Sequence, residues 1–236
     1  MLSMSRSNAL CLTLTTILLT MGGKAMRAEP SMTTSVALFK AYPALQHKIH
    51  HVLLGTFPTP VVKLEHLGAA LGTPNLYLKN DSVSGPLFGG NKVRKLEFLL
   101  GDALALKAKG VLTVGCAGSN HTTATAAYCQ QQGLRCFCLH IPQEPTLYAQ
   151  RNLLLSHHFG ADLTYCHSRG LRDKAMADKN QTFINETGTA LYLIPSGGSN
   201  EIGTIGFVNA AFELKEQVAA GLLPEPDVIY VALGSC

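Results

Sequence analysis

Short runs of apolar residues alternate with longer segments of mixed polarity from residue 91 onward. Apolar runs of four to seven residues bounded by polar residues or glycine predict strands over 111–114, 135–141, 163–166, 190–194 and 228–233. The segments between them predict helices over 91–109, 122–132, 147–159, 171–186 and 202–220. Short strands separated by helices are typical of βαβ units. We therefore expect an α/β fold in which helices flank a parallel sheet.

The region before residue 91 has a different pattern. Residues 59–62 and 75–79 predict extended segments, and the glycine-rich loop 84–90 leads into a helix that starts near Asn91. The apolar residues of this helix recur at helical spacing and predict its buried stripe: Val93, Leu96, Leu99, Leu100 and Ala103.

Lys92 falls in the first turn of that helix, directly after Asn91, a suitable N-cap residue. The positive end of the helix dipole disfavours a cation there and lowers the pKa of the lysine. A lowered pKa suits a lysine that attacks a carbonyl, because only the neutral amine is nucleophilic. Taken alone, however, the position favours an ordinary solvated lysine.

The loops richest in glycine, serine and asparagine follow predicted strands, at 115–120 and 195–200. In open α/β sheets, ligands bind at this carboxyl edge. Ser119 and Asn120 lie between a strand and a helix, so backbone N–H groups there are expected to face an anion such as a carboxylate. Residues 197–199 offer the same geometry, and two such sites suit a ligand with separated negative groups.

The composition excludes several classes of protein. The 236 residues are 47% hydrophobic with a net charge of +4, which excludes a mostly disordered chain. Lysine and arginine are scattered and tryptophan is absent, so we expect no nucleic-acid binding. The adjacent pairs His50-His51 and His157-His158 lack chelating spacing, and we expect no metal site.

Residues 1–28 predict a targeting segment. The apolar run 9–21 is shorter than the roughly 20 residues that span a bilayer, and it lies between Arg6 and a series of small residues. We expect a secretory signal, a periplasmic or secreted protein, and no stable membrane insertion after processing. An organellar transit peptide or an extension of a cytoplasmic protein are the alternatives. Cys136 and Cys138 would share one face of a strand as buried thiols, which fits a reducing compartment better.

Three segments carry a resemblance to a known family: SGPLFGGNKVRKLEFLLGDAL at 84–104, GCAGSNHTTATAAY at 115–128 and IPSGGSNEIGTIGFVNAAFEL at 194–214. In this order they resemble pyridoxal-phosphate enzymes of the tryptophan-synthase-β fold type. They are most similar to the branch of D-cysteine desulfhydrases and aminocyclopropane-carboxylate deaminases. The resemblance covers the chain from about residue 40 onward and implies pyridoxal 5'-phosphate as the cofactor.

The resemblance implies roles for residues of the first two motifs. Lys92, the lysine of GGNK, would form the Schiff base with the cofactor and later remove the substrate's α-proton. Asn91 would help to hold the cofactor, and Asn120 would hydrogen-bond its ring oxygen. Ser119 and His121 would face the substrate carboxylate, with Ser119 among the catalytic residues.

The later loops complete the expected site. Gly198 and Ser199 would bind substrate, and Gly234 and Ser235 begin the loop that holds the cofactor phosphate in the family. Family members continue well past this loop. We therefore expect a C-terminally truncated chain whose larger domain is incomplete.

Together with the residues above, the resemblance implies a two-domain, fold type II lyase that acts on a small amino acid. Residues 93–200 would form a small βαβ domain, and residues 40–92 and 201–236 would belong to the larger cofactor-binding domain. We expect D-cysteine as substrate, release of pyruvate, sulfide and ammonia, and a homodimer when the chain is full length. An aminocyclopropane-carboxylate deaminase-like enzyme and a non-catalytic fragment of such an enzyme are the alternatives.

Overall fold

A computed structural model describes residues 36–232 and residue 234. The predicted targeting segment 1–28 lies outside the described residues. The helices are α1 (Ala37–Ala41), α2 (Glu65–Ala70), α3 (Lys92–Ala105), α4 (Asn120–Gln131), α5 (Leu147–His158), α6 (Arg172–Thr187) and α7 (Glu201–Ala219). The strands are β1 (Val61–Lys63), β2 (Tyr77–Lys79), β3 (Gly110–Cys116), β4 (Arg135–Ile141), β5 (Asp162–Tyr165) and β6 (Tyr192–Ile194). Short 3-10 turns cover Pro43–His47, Asp81–Val83, Arg169–Leu171 and Ser196–Gly198.

Four strands form a parallel sheet in the order β5-β4-β3-β6. Helices connect them, so the predicted α/β fold with a parallel sheet is confirmed. Strand β4 has the predicted bounds, whereas β3 extends beyond its apolar run because Gly110 and Cys116 also pair with β4. The central position of β3 brings the loops after β3, β4 and β6 to one edge of the sheet.

Both faces of this sheet are covered, which is typical of parallel sheets. Val111, Cys136 and Cys138 face the helix pair α3 and α4 in one buried cluster. Leu112 and Phe137 point to the opposite face, in a cluster that includes Phe183 of α6. The period-two alternation along each strand therefore supplies two cores, and the prediction that Cys136 and Cys138 are buried on one face is confirmed.

Outside this sheet, one predicted extended region is confirmed and one predicted strand is wrong. Strands β1 and β2 pair antiparallel, as Val61 with Lys79 and Lys63 with Tyr77, in the segments predicted to be extended. The predicted strand 228–233 is wrong over the described residues 228–232, which adopt no regular structure. A strand needs a hydrogen-bonded neighbour, and no described strand pairs with this segment. Its apolar side chains are exposed, Tyr230 to 90%.

Helix α3 is buried almost all round rather than along one stripe. The predicted stripe is buried, but Arg94, Lys95 and Glu97 are buried as well. Helix α7 approaches so closely that a Cβ on Gly206 would lie 2.2 Å from the Arg94 carbonyl oxygen, which explains glycine at that position. Polar side chains inside this contact need partners, and those partners organise the site.

None of the described helices is long and apolar enough to cross a membrane. The five cysteines that the structure describes form no disulfide with one another. The division into a domain at 93–200 and a second one made of 40–92 and 201–236 stays a prediction.

Candidate active site

Hydrogen bonds to the preceding 3-10 turn hold the loop 84–91 in place. The Gly90 amide donates to the Asp81 carbonyl at 2.8 Å, and the Ser84 hydroxyl donates to the Gly90 carbonyl at 2.8 Å. Because the loop ends where α3 begins, these bonds also set the position of Lys92.

Asn91 lies at the N-cap position of α3 but does not cap it as predicted. Its backbone is already helical, with φ −61° and ψ −14°, and its side chain accepts no hydrogen bond from the helix. Gly90 instead adopts a left-handed φ of 104°, which side chains disfavour, and its carbonyl accepts from the Val93 amide at 3.3 Å. Gly90 therefore sets the start of the helix, and a cofactor contact of Asn91 stays a prediction.

The Lys92 side chain is partly buried and makes no hydrogen bond or ion pair with residues 36–232. Burial lowers the pKa of its amino group, because the ammonium form loses hydration. The predicted direction is confirmed, and the structure adds burial as a cause of the lowered pKa. An amine with a lowered pKa and no carboxylate partner is suited to attack on a carbonyl.

Arg94, two residues later, anchors the first turn of α3 through two carboxylates. Its Nε and Nη2 donate to Asp81 at 2.7 Å each, and its Nη1 and Nη2 donate to Glu213 at 2.7 and 3.1 Å. Its Nη2 also donates to the Thr59 hydroxyl at 2.8 Å. This buried network joins the β1 region, the loop before α3 and helix α7.

Arg94 and Asp81 remain ionised in this network. Burial alone would lower the pKa of Arg94, but hydrogen bonds to Asp81 and Glu213 outweigh it and raise that pKa. Burial alone would raise the pKa of Asp81, yet the Arg94 hydrogen bonds hold it below its usual value. Lys79 adds a second cation 3.0 Å from Glu213. Two cations thus face two carboxylates around the base of α3.

Lys95 lies one turn after Lys92 and joins α3 to the loop after β6. Its Nζ donates to the Gly197 carbonyl at 3.1 Å and to the Ser199 hydroxyl at 2.9 Å. Lys95 was not among the site residues predicted from the sequence. Its three-residue separation from Lys92 was the available signal, since residues three apart share a helix face.

The three motifs meet beside Gly198. A Cβ on this glycine would lie 3.4 Å from His121 Cε1 and 3.5 Å from Lys95 Cδ. The loop after β6 therefore packs against both α3 and the start of α4. Substrate contacts of Gly198 and Ser199 stay predictions.

Ser119 caps helix α4, which begins two residues earlier than predicted, at Asn120. The Ser119 backbone is extended, and its hydroxyl oxygen accepts from the Thr122 amide at 3.5 Å. A serine at this position is typical of an N-cap. The remaining N–H groups of the first turn face the carboxyl edge of the sheet, which is the arrangement expected for binding a carboxylate.

The Asn120 side chain is held from one side. Its Oδ1 accepts hydrogen bonds from the Tyr148 hydroxyl and from Asn152 Nδ2, the second at 3.0 Å. Both partners come from α5, and neither was predicted from the sequence. No motif marked them, because their role depends on how α4 and α5 pack together.

His121 is buried and uncharged. The Thr113 hydroxyl donates to the Ile194 carbonyl at 3.0 Å, so its oxygen is left to accept from His121 Nε2 at 2.8 Å. This places the ring proton on Nε2 and leaves Nδ1 as a buried acceptor with no hydrogen bond from described residues. Burial, with the positive charges of Lys92 and Lys95, lowers the pKa of His121 to about 3. A substrate contact of His121, which stays a prediction, would therefore involve a neutral ring.

The protein should lose stability in acid through His121. The unfolded ring takes up a proton near its ordinary pKa of 6.5, while the folded ring resists until about 3. The free energy of unfolding therefore falls as the pH falls through this window, by at most about 1.4 kcal/mol per pH unit, because the unfolded state takes up a proton that the folded state does not. His121→Gln should flatten the dependence of the unfolding free energy on pH between 6.5 and 3, measured by urea denaturation.

His66→Gln, at an exposed histidine, is the control and should keep the wild-type slope. Equal slopes for wild type and His121→Gln would show that His121 is not buried as a neutral group.

The last predicted cofactor residues are only partly described. Gly234 is a bend residue, and Ser235 lies outside the described residues, so phosphate binding by this pair stays a prediction. Among the residues that the structure describes, no group of three or more histidine, cysteine, aspartate or glutamate side chains could hold a metal ion.

The chain is similar in sequence to curated D-cysteine desulfhydrases. A D-cysteine desulfhydrase of Yersinia pseudotuberculosis serotype O:1b is 37% identical over 199 residues, which cover 81% of this chain and 59% of the relative. A D-cysteine desulfhydrase of Serratia proteamaculans is 39% identical over 163 residues, covering 67% of this chain and 49% of the relative. The chain thus spans about half the length of the curated relatives that it matches.

A solved structure described as an ACC deaminase homologue is 34% identical, with a TM-score of 0.65 over 74% of this chain and 53% of that one. The family model described as pyridoxal-phosphate dependent enzyme matches residues 52–236. This match includes β1 to β6, the lysine at the start of α3 and the loops around it. The chain therefore belongs to the family of pyridoxal-phosphate-dependent enzymes.

Proposed function

We propose that this protein is a pyridoxal-phosphate-dependent lyase that converts D-cysteine to pyruvate, sulfide and ammonia. The observation that carries the proposal is the amine of Lys92. It is partly buried, has a lowered pKa and lies close enough to His121, at the start of α4, for its charge to act on that ring. The names of the two bacterial relatives support D-cysteine as the substrate.

The described residues fit the cofactor. Lys92 offers an amine for its aldehyde, and Asn120 Nδ2, which donates to no residue among 36–232, would supply a hydrogen-bond donor for a ring oxygen. When bound, pyridoxal phosphate supplies delocalisation of the negative charge that forms on the substrate α-carbon. Gly234 and Ser235 are the proposed phosphate-binding residues.

The chain's own residues supply binding and proton transfer. The N-terminus of α4, capped by Ser119, would bind the substrate carboxylate through backbone N–H groups. With the cofactor bound, Lys92 Nζ would accept the α-proton of the substrate, because burial keeps a larger fraction of this amine neutral. His121 and Lys95, which pack against the loop after β6, would close this side of the site to water.

An enzyme that opens the ring of aminocyclopropane carboxylate is the second candidate. The solved ACC deaminase homologue favours it, since its fold matches this chain with a TM-score of 0.65. Both substrates carry a carboxylate and an amine on one carbon, so the residues that would bind these two groups serve either substrate. Aminocyclopropane carboxylate has no α-proton, however, so the role of Lys92 as acceptor of an α-proton belongs to the D-cysteine reaction alone. The choice depends on what faces the β-carbon.

Purified protein loaded with pyridoxal phosphate should release sulfide and pyruvate in equal amounts from D-cysteine. Sulfide is measured colorimetrically, and pyruvate is measured with a coupled dehydrogenase. L-cysteine tests the stereoselectivity of the reaction, and aminocyclopropane carboxylate is the alternative substrate. Ammonia released from aminocyclopropane carboxylate, with no sulfide from D-cysteine, would replace the proposal by the second candidate. No turnover of any of these substrates by protein that holds the cofactor would refute both.

A further inference from the structure

We propose that Asn152 is a positioning residue that fixes the direction of the Asn120 side-chain amide, so that Asn120 presents N–H donors to the ligand. Asn152 lies on α5 and is 2% exposed. The ligand part of the inference rests on the proposed function. The direction of the amide itself does not.

The Gly118 carbonyl determines how Asn152 is oriented. Asn152 Nδ2 lies 2.9 Å from the Gly118 oxygen, inside the contact between α4 and α5. A backbone carbonyl can accept a hydrogen bond but cannot donate one. The reverse orientation would place two acceptors against each other in a buried position, which is costly. Asn152 Nδ2 therefore faces Gly118.

The same Nδ2 group determines how Asn120 is oriented. Its second hydrogen points to Asn120, whose nearer atom lies 3.0 Å away and must be an acceptor. Asn120 Oδ1 is that atom. The Asn120 Nδ2 group then points away from α5, where no residue among 36–232 accepts a hydrogen bond from it.

Tyr148 cannot determine which end of the Asn120 amide faces α5. Its hydroxyl also contacts Asn120 Oδ1, but a hydroxyl can donate or accept and would bond to either end of the amide. Tyr148 is also 48% exposed, whereas Asn152 is buried. Asn152 is thus the one of the two partners whose chemistry permits a single direction.

Asn152 is itself held firmly. Its backbone carbonyl accepts from the Ser156 hydroxyl at 2.8 Å and from the Thr123 hydroxyl at 3.3 Å. The Ser156 hydroxyl also lies 3.1 Å from that of Thr123. These bonds join α5 to α4 without involving the Asn152 amide, so they offer a separate control.

The consequence is electrostatic. An N–H donor at Asn120 stabilises an anionic ligand oxygen, whereas an exposed Oδ1 would repel it. The ring oxygen of pyridoxal phosphate is such an oxygen. A donor there favours the form of the bound cofactor with the greater negative charge and so lowers the pH at which its visible absorbance changes.

Asn152→Asp is the sharpest test, because aspartate keeps the shape but only accepts when ionised. It should turn the Asn120 amide, and the pKa read from the absorbance of the bound cofactor should rise by about one unit. Ser156→Ala, a buried change on the same helix, should leave that pKa unchanged. An unchanged pKa in Asn152→Asp, with the cofactor still on Lys92, would overturn the inference.

A second measurement needs no cofactor. Neutron diffraction of the ligand-free wild-type protein in D₂O should show the Asn120 deuterium atoms directed away from Tyr148 and Asn152. Deuterium atoms directed towards them would refute the inference even if the Asn152→Asp variant did not fold. A wild-type protein that binds no pyridoxal phosphate would instead refute the proposed function, while the neutron result would still decide the direction of the amide.

Discussion

Replacing Lys92 by alanine should remove all covalently attached pyridoxal phosphate and reduce turnover to background. Lys92 Nζ has a pKa lowered by burial and is not engaged by residues 36–232. Lys95, the neighbouring lysine, donates to the Gly197 carbonyl and the Ser199 hydroxyl, so its Nζ is engaged by the loop after β6. An amine held in this way is not placed to replace the lost nucleophile of Lys92.

The measurement is borohydride reduction followed by peptide mapping, which fixes the cofactor to the lysine that carries it. Lys95→Ala should keep the label on Lys92, and Lys215→Ala, at an exposed lysine, should leave both the label and turnover unchanged. Label recovered on Lys95 or on any other lysine would show that the assignment of Lys92 is wrong.

Replacing Arg94 by alanine should lower the free energy of unfolding by about 3–5 kcal/mol, the cost typical of breaking a buried ion pair. The substitution leaves the buried Glu213 and the partly buried Asp81 without their shared arginine. Lys79, 3.0 Å from Glu213, then remains as a cation beside these carboxylates. A loss of this size is a large part of the total stability of a typical domain, so much of the protein should be unfolded at 37 °C.

Urea denaturation followed by circular dichroism gives the value. Arg172→Ala is the matched control, because Arg172 pairs with Asp173 at the surface, where an ion pair contributes little. Wild-type stability in Arg94→Ala would show that the buried network does not hold α3. Restoration of stability by Arg94→Lys would show that charge, rather than the two-sided hydrogen bonding of the guanidinium, is what matters.

The fold was largely readable from local patterns. Strand β4 was predicted with its observed bounds, and α5 and α7 were predicted to within one residue at each end. Such patterns work because apolar spacing reports which face of an element is buried. The same rule failed at 228–232, where an apolar run without a neighbouring strand forms no strand. It also failed on α3, where spacing indicated one buried stripe but charged residues are buried as well.

The candidate site divides in the same way. The order of residues along the chain places Lys92 after a glycine-rich loop and Ser119 between a strand and a helix. The pKa of Lys92 has a cause that sequence could not supply, because burial depends on what packs around a side chain. At Asn91 the sequence indicated a contact that the structure does not contain. Asparagine is a suitable N-cap residue, but Asn91 makes no capping hydrogen bond because Gly90 turns the chain.

The sequence by itself determined the order of strands and helices, the parallel sheet and the loops that carry Lys92, Ser119 and Gly198, because each depends on residues near one another in the chain. Only the tertiary structure decided which distant side chains meet. Arg94 and Glu213 are 119 positions apart, yet they share two hydrogen bonds, and Asn152 reaches Asn120 from another helix. Such contacts arise when elements pack, and packing places polar groups where the loss of water obliges them to pair.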